Sequence, residues 1–164
     1  PSSKENLQKG IRVITREDIR WMRCDIKSIA LLPNTMLYNQ AVISGAGECI
    51  LLRDGMVTEA THSSVLAVKN GTVITHPLSH LILPGITRKV ILMLCAQYGI
   101  SFEERPLTEK VLFDVDELII AGTGSEITPV VQVNDRAIGN GMVGEVTRLL
   151  QKKFFELTDP TVLD

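Results

Sequence analysis

Glu48-Cys49-Ile50-Leu51-Leu52-Arg53-Asp54-Gly55-Met56-Val57-Thr58-Glu59-Ala60 and, just after it, Ser64-Val65-Leu66-Ala67-Val68-Lys69-Asn70-Gly71-Thr72-Val73-Ile74-Thr75 set the architecture of the chain. Each stretch is a pair of apolar runs joined at a turn, Asp54-Gly55 in the first and Asn70-Gly71 in the second. Asp-Gly and Asn-Gly tolerate the positive φ that a tight hairpin turn demands. Two hairpins in succession predict an antiparallel sheet.

Upstream, Gly10 to Arg16 alternates apolar and polar residues and predicts a strand. Pro33-Asn34 opens a helix to about Ser44, with Met36, Leu37, Ala41 and Val42 as its apolar stripe and Gly45-Ala46-Gly47 as its stop. Downstream of the hairpins the period changes: Ile86, Val90, Leu94 and Tyr98 fall on one helical face that ends at Gly99. Ile100 to Arg105 returns to a strand pattern, and Pro106-Leu107-Thr108 begins a short helix to about Phe113. Glu117 to Ala121 is a strand running into Gly122-Thr123-Gly124-Ser125, and Ile127 to Val133 is another, interrupted at Pro129. Val146, Leu149, Leu150, Phe154 and Phe155 mark a last amphipathic helix. The expected fold class is α+β, with a mixed, largely antiparallel sheet. Polar Pro1-Ser2-Ser3-Lys4-Glu5-Asn6 reads as linker, so residues 1–9 are expected to be a linker remnant, 10–158 a domain and 159–164 a tail.

A chain of 164 residues suits one core-bearing domain, and 17 basic against 19 acidic side chains leave a formal charge of -2. No basic stripe is present to attract nucleic acid or an anionic membrane, which directs attention to a small ligand. Cys24, Cys49 and Cys95 are far apart with no CxxC pair, so neither disulfides nor a metal site is expected, and a reducing, cytoplasmic setting fits. Apolar runs such as Ile91 to Ala96 are too short to span a bilayer.

Four places carry chemistry. Lys27 lies between Ile26 and the apolar run Ile29-Ala30-Leu31-Leu32, where an amine must find a partner, lose its proton or be modified; a snorkelling surface lysine is the plainer alternative. Leu83-Pro84-Gly85-Ile86-Thr87-Arg88 leads a tight turn into a helix, whose free amides and dipole suit a phosphate, or simply start a helix. Ala121-Gly122-Thr123-Gly124-Ser125 lets backbone approach an anion, although it is neither a Walker motif nor a dinucleotide fingerprint. Glu59 ends an apolar strand, where it either faces water or pairs, buried, with a protonated ring nitrogen. An amine, a carboxylate and two phosphate-binding places together match what pyridoxal phosphate requires of a protein.

The order of these motifs resembles the class IV, fold type IV pyridoxal-phosphate aminotransferases over about Glu5 to Leu157. The resemblance rests on Arg20-Trp21-Met22-Arg23-Cys24-Asp25-Ile26-Lys27-Ser28, Val57-Thr58-Glu59, Thr75-His76-Pro77, Ile82-Leu83-Pro84-Gly85-Ile86-Thr87-Arg88, Ser125-Glu126-Ile127-Thr128-Pro129-Val130 and Gly141-Met142-Val143-Gly144-Glu145. Within the class, Arg-Cys-Asp-Ile-Lys-Ser is most similar to the D-amino-acid, D-alanine-type branch. The resemblance implies a pseudo-barrel with flanking helices, the C-terminal cofactor-binding half of such an enzyme. It implies that Lys27 forms the Schiff base with pyridoxal 5'-phosphate and moves the proton. Glu59 pairs with the pyridine nitrogen, Leu83 packs on the ring, Ile86 and Thr87 form the phosphate turn, and Gly122 and Thr123 form a second phosphate contact.

It further implies exchange between a D-amino acid and a 2-oxo acid, a homodimeric parent enzyme, and an N-terminal domain supplying the carboxylate-holding groups. Without those groups the 164 residues alone are expected not to transaminate. Branched-chain aminotransferases and aminodeoxychorismate lyases are the alternatives of the same fold, and a non-catalytic phosphate-ligand or assembly module is the alternative outside it. Two departures stand out: Thr61-His62-Ser63-Ser64 replaces a Ser-rich stretch ending in Ser-Asn, and Gly122 and Gly124 replace hydroxyl residues. Arg20, Arg23 and Arg88 are read as structural cations.

Overall fold

The computed structural model describes residues 2–158. In chain order the elements are α1 (Lys4–Lys9), β1 (Ile11–Glu17), α2 (Leu32–Ile43), β2 (Glu48–Arg53), β3 (Met56–Ala60), β4 (Ser64–Lys69), β5 (Thr72–Thr75), α3 (Ile86–Tyr98), β6 (Phe102–Glu104), β7 (Leu107–Thr108), α4 (Glu109–Leu112), β8 (Glu117–Gly122), β9 (Glu126–Val133), β10 (Arg136–Ala137) and α5 (Glu145–Thr158). Both predicted hairpins form, and Asp54 and Asn70 take the positive φ their turns require.

The sheet runs β6-β5-β4-β8-β9-β1-β2-β3-β7, with β10 paired to β9. It is mixed and mainly antiparallel: β1 runs parallel to β2 and β9, and β5 runs parallel to β6. Laid flat, the eight spacings of that order would hold β6 and β7 about 38 Å apart. Glu104 ends β6 and Leu107 begins β7, and three peptide steps reach at most about 11 Å. The sheet must therefore curl until its two edges nearly meet, which gives the half-barrel.

Curling explains why the strands read as continuous apolar runs, because both faces are covered. Val65 and Ala67 of β4 point into the barrel beside Val13, Ile50, Leu118 and Ile120. Leu66 and Val68 point outward, where Ile91, Leu94 and Cys95 of α3 and Leu150, Phe154 and Phe155 of α5 cover them. A third cluster lies under α2, built from Leu37 and Ala41 against Ile14, Cys49 and Leu51.

Several sequence expectations shift. Leu107–Thr108 is an edge strand pairing with Val57 and Met56 rather than the start of a helix; the Thr108 hydroxyl caps the helix that follows by accepting the Val111 N–H at 3.2 Å. The strand expected over Ile100 to Arg105 is shortened to β6, because the Ile100 N–H is used on Cys95 O to close α3. Pro129 does not break β9: the β1 ladder begins at Val130, so the missing N–H costs nothing on that side. Ile86 is 78% exposed, and α3 instead buries Thr87, Arg88, Ile91, Leu94 and Cys95.

The stretch read as linker carries α1, capped by Ser3 and docked by buried Leu7. The expected tail, 159–164, lies outside the described residues. Among the described residues no helix is long and apolar enough to cross a membrane, and no group of His, Cys, Asp or Glu side chains is arranged to hold a metal ion.

Candidate functional site

The pairing of β2 with β3 slips between Ile50 and Leu52, whose partners Ala60 and Val57 are three residues apart rather than two. An extra residue of this kind re-aims side chains locally. Val57 and Ala60 both join the apolar interior, and Glu59, between them, does not, although its carboxylate is buried. Burial alone would make an unpaired carboxylate very costly. Glu59 Oε1 accepts a hydrogen bond from Arg20 Nη1, and Oε2 accepts the Leu83 N–H at 3.1 Å. Arg20 is itself gripped by Asp18, donating through Nε to Oδ1 at 2.9 Å and through Nη2 to Oδ2 at 2.8 Å. This is the parallel two-bond geometry that guanidinium and carboxylate favour.

Asp18 is held in turn by Arg53 Nη2 at 3.2 Å and by the Thr58 hydroxyl at 3.1 Å. Side-chain exposure is 0% for Asp18, 6% for Arg20 and 9% for Glu59, so the network lies almost wholly out of water. Burial raises the Glu59 pKa above its ordinary value, and Arg20 opposes this without cancelling it. For Asp18 burial also pushes upward, but the hydrogen bonds and charge of Arg20, with the charge of Arg53, bring the net result below the ordinary value. The Cys24 thiol is raised, mainly by burial, beside the same charges.

Leu83 ties this network to the start of α3. Two residues after it, Gly85 is the N-cap of the helix with no side-chain hydrogen bond, leaving the first amides of Ile86 and Thr87 without a cap. A Cβ at Gly85 would sit 3.0 Å from Ser64 Oγ, so a side chain there would press on that hydroxyl. Thr87, the second residue of the helix, is buried.

The three-residue turn between β8 and β9 approaches the same loop. A Cβ on Gly122 would lie 3.2 Å from His62 O and 3.3 Å from Ser63 Oγ, and Ser63 Oγ lies 2.6 Å from Ser125 Oγ. Thr123, between them, is exposed. A hollow of about 420 Å³ opens beside this turn, lined in part by Tyr38, Glu48, His62, Gly124 and Ser125. His62 packs edge-on to Tyr38 at 5.0 Å, with its Nδ1 2.9 Å from Thr61 Oγ1 and 3.8 Å from Glu48 Oε2.

These contacts join Glu59, Leu83, Gly85 with its helix start, Ser63 and Ser64, and Gly122 into one neighbourhood. Lys27 stands apart. It lies in the loop between β1 and α2, exposed, with no hydrogen bond or ion pair among the described residues. The loop is anchored at Cys24, whose N–H donates to His80 O at 2.8 Å, close to Leu81 and Leu83. Among the described residues no apolar wall encloses Lys27: Ile29 is 99% and Leu32 71% exposed.

Arg88 and Arg23 have structural partners, as expected: Arg88 reaches His76 O and Glu104, and exposed Arg23 pairs with Asp25. Arg20 is ion-paired as well, and its partners are Asp18 and Glu59. Sequence alone did not single out Asp18 or Arg53. The only available signal was a run of charges, Arg16-Glu17-Asp18-Ile19-Arg20, at a strand end, which ordinarily marks a solvated turn.

A sequence model of the family described as amino-transferase class IV matches residues 1–133. The chain is 46% identical over 150 residues to a D-alanine aminotransferase of Staphylococcus haemolyticus, covering 92% of this chain and 53% of that protein. It is 44% identical over 144 residues to a D-alanine aminotransferase of Bacillus licheniformis, covering 88% and 51%. It thus spans about half the length of the curated relatives it matches. Among solved structures, the branched-chain amino acid aminotransferase of Escherichia coli superposes with a TM-score of 0.84 at 32% identity, over 94% of this chain and 53% of that one. The branched-chain amino acid aminotransferase of Thermobaculum terrenum, in its PLP-bound holo form, gives a TM-score of 0.86 at 26% identity, over 96% and 54%. With the curled sheet, the buried strand-end carboxylate and the family match over most of its length, the chain belongs to the class IV aminotransferases.

Proposed function

We propose that this chain is the pyridoxal-phosphate-binding half of an aminotransferase that exchanges the amino group of D-alanine or another D-amino acid with a 2-oxo acid. The observation that carries the reading is the Glu59 Oε2 to Leu83 N–H bond of 3.1 Å, which couples a buried carboxylate to the turn opening α3. On this reading a ring-nitrogen partner and a phosphate-binding helix end belong to one hydrogen-bonded unit.

The residues present fit the cofactor. Glu59 uses one acceptor site on each oxygen, and a carboxylate offers about four, so a pyridinium N–H can still be accepted. The uncapped amides of Ile86 and Thr87, the Thr87 hydroxyl and the α3 dipole suit a phosphate dianion. Gly122 and Thr123 supply backbone and a hydroxyl from the opposite turn, and Leu83 supplies an apolar contact for the ring. When bound, pyridoxal phosphate supplies the electron sink that makes the α-proton of an amino acid labile.

Lys27 Nζ, unencumbered by ion pairs, is the nucleophile that carries the cofactor and, once released, the base that takes the substrate α-proton and returns it. Glu59 holds positive charge at the ring nitrogen throughout. We place the enzyme in the cytoplasm, where the three buried free thiols stay reduced, and as a homodimer whose remaining half completes the substrate pocket.

A second reading, a branched-chain L-amino-acid aminotransferase, is favoured by the solved structures named above. The greater identity to D-alanine aminotransferases favours the first. Incubating the full-length protein with 2-oxoglutarate and either D-alanine or L-leucine decides between them. Turnover of D-alanine is expected, and turnover of L-leucine alone would contradict the proposal.

A further inference from the structure

We propose that Arg20 is a positioning residue for the cofactor site: clamped by Asp18, it keeps Glu59 ionised and fixes the direction its carboxylate faces. This rests on the reading of Glu59 as the partner of the ring nitrogen.

The geometry has three parts. Arg20 gives Nε and Nη2 to Asp18 and keeps Nη1 for Glu59, so the angle between the two acids is set by a rigid, planar fork. Its position is fixed from several sides, with the Arg20 N–H on Asp18 Oδ1 at 3.0 Å, Nη2 near Leu81 O at 3.3 Å, and Arg53 Nη2 on Arg20 O at 2.9 Å. Glu59, held by Arg20 on Oε1, is held by Leu83 N–H on Oε2, so the chain Arg53, Asp18, Arg20, Glu59, Leu83 reaches the helix end without a gap.

A lone buried carboxylate would take up a proton, and protonated Glu59 would lose the charge that holds a ring N–H. The charged groups acting on it are Arg20 and Asp18, with Arg53 behind Asp18 and the Cys24 thiol nearby. Two arginines balance two acids, so the unit is neutral within itself before any ligand arrives. Lysine at position 20 would keep a charge but lose the fork, and would aim at one acid or the other.

The test follows Glu59 itself. Its side-chain carboxyl is titrated by carbon NMR in the apo protein, wild type beside Arg20→Gln, Arg20→Lys and Asp18→Asn. The Arg20→Gln titration should move upward by roughly one to three pH units, with smaller shifts in the same direction for the other two. In the protein loaded with pyridoxal phosphate, Arg20→Gln should weaken cofactor retention roughly tenfold or more and shift the pH dependence of the visible band. Borohydride should still fix the cofactor to Lys27.

A purely structural role predicts a lower melting temperature with an unmoved Glu59 titration and band, and that result overturns the inference. If Arg20→Gln does not fold, Asp18→Asn and Arg20→Lys carry the same comparison. In a Glu59→Gln background, the change at position 20 should add nothing further to cofactor loss; full additivity also overturns it. If wild-type protein shows no cofactor band, the functional reading fails, while the apo titration still judges the pairing of Arg20 with Glu59.

Discussion

Thr87 lies in the first turn of α3, a helix start without a side-chain cap that adjoins the Glu59 network. Replacing it with valine keeps its shape and, on the proposed reading, removes one hydrogen bond to the cofactor phosphate. Pyridoxal phosphate should then bind roughly tenfold more weakly, about 1.5 kcal/mol, by equilibrium titration, with an unchanged melting curve. Asp18 bears on stability in acid. Its folded pKa lies below the ordinary 3.8, so its contribution to stability is present above that value and is lost as pH falls through the folded one. Glu59 acts in the opposite sense: with a folded pKa above 4.5, it favours folding at pH below that value and loses this contribution as pH rises through its folded pKa. Chemical denaturation at stepped pH should therefore show the steep acid loss below about pH 4, and Asp18→Asn should flatten it. At this scale the sequence singled out Lys27, Glu59 and Thr87 from their local context alone, and the structure joins Glu59 to the helix start that holds Thr87 while Lys27 lies exposed in its loop. It was silent on Asp18 and Arg53, because their contacts span 35 to 40 residues of chain.

Elements show the same division. The Asp54-Gly55 and Asn70-Gly71 turns and the Gly99 stop were legible because each needs a backbone conformation that few residues tolerate. The buried face of α3 was not, since Ile86 fits the period yet faces outward while Arg88 faces in to reach His76 O and Glu104. No local signal shows how α5 begins. Glu117, from β8, accepts the Val146 N–H at 3.0 Å, the Thr147 N–H at 2.8 Å and the Thr147 hydroxyl at 2.6 Å. Gly144 leaves room for it, since a Cβ there would come within 2.0 Å of the carboxyl carbon. Glu117→Ala should cost about 1–2 kcal/mol of stability, the range of a lost helix cap, with denaturant midpoint as the readout and Glu59 titration unaffected. Gly144→Ala should destabilise in the same direction.

For the whole molecule, the two hairpins foretold a sheet but not its closure, which is fixed by the short step from β6 to β7 across the full strand order. Curling brings the start of α3, the end of β3 and the β8–β9 turn together, so residues far apart in sequence share one neighbourhood. It leaves Ile29, Leu32, Met36 and Ile43 outside, on the surface that carries the Lys27 loop. Exposed apolar side chains so grouped favour association. The 164-residue chain by itself should therefore self-associate with rising concentration in light scattering, and Ile29→Ser with Leu32→Ser should reduce this. The central claim, that Lys27 carries pyridoxal phosphate, is tested most directly by borohydride reduction of the loaded protein followed by peptide mass mapping. The account predicts a phosphopyridoxyl group on Lys27, absent in Lys27→Ala; label spread over surface lysines, or unchanged labelling in that variant, would contradict it.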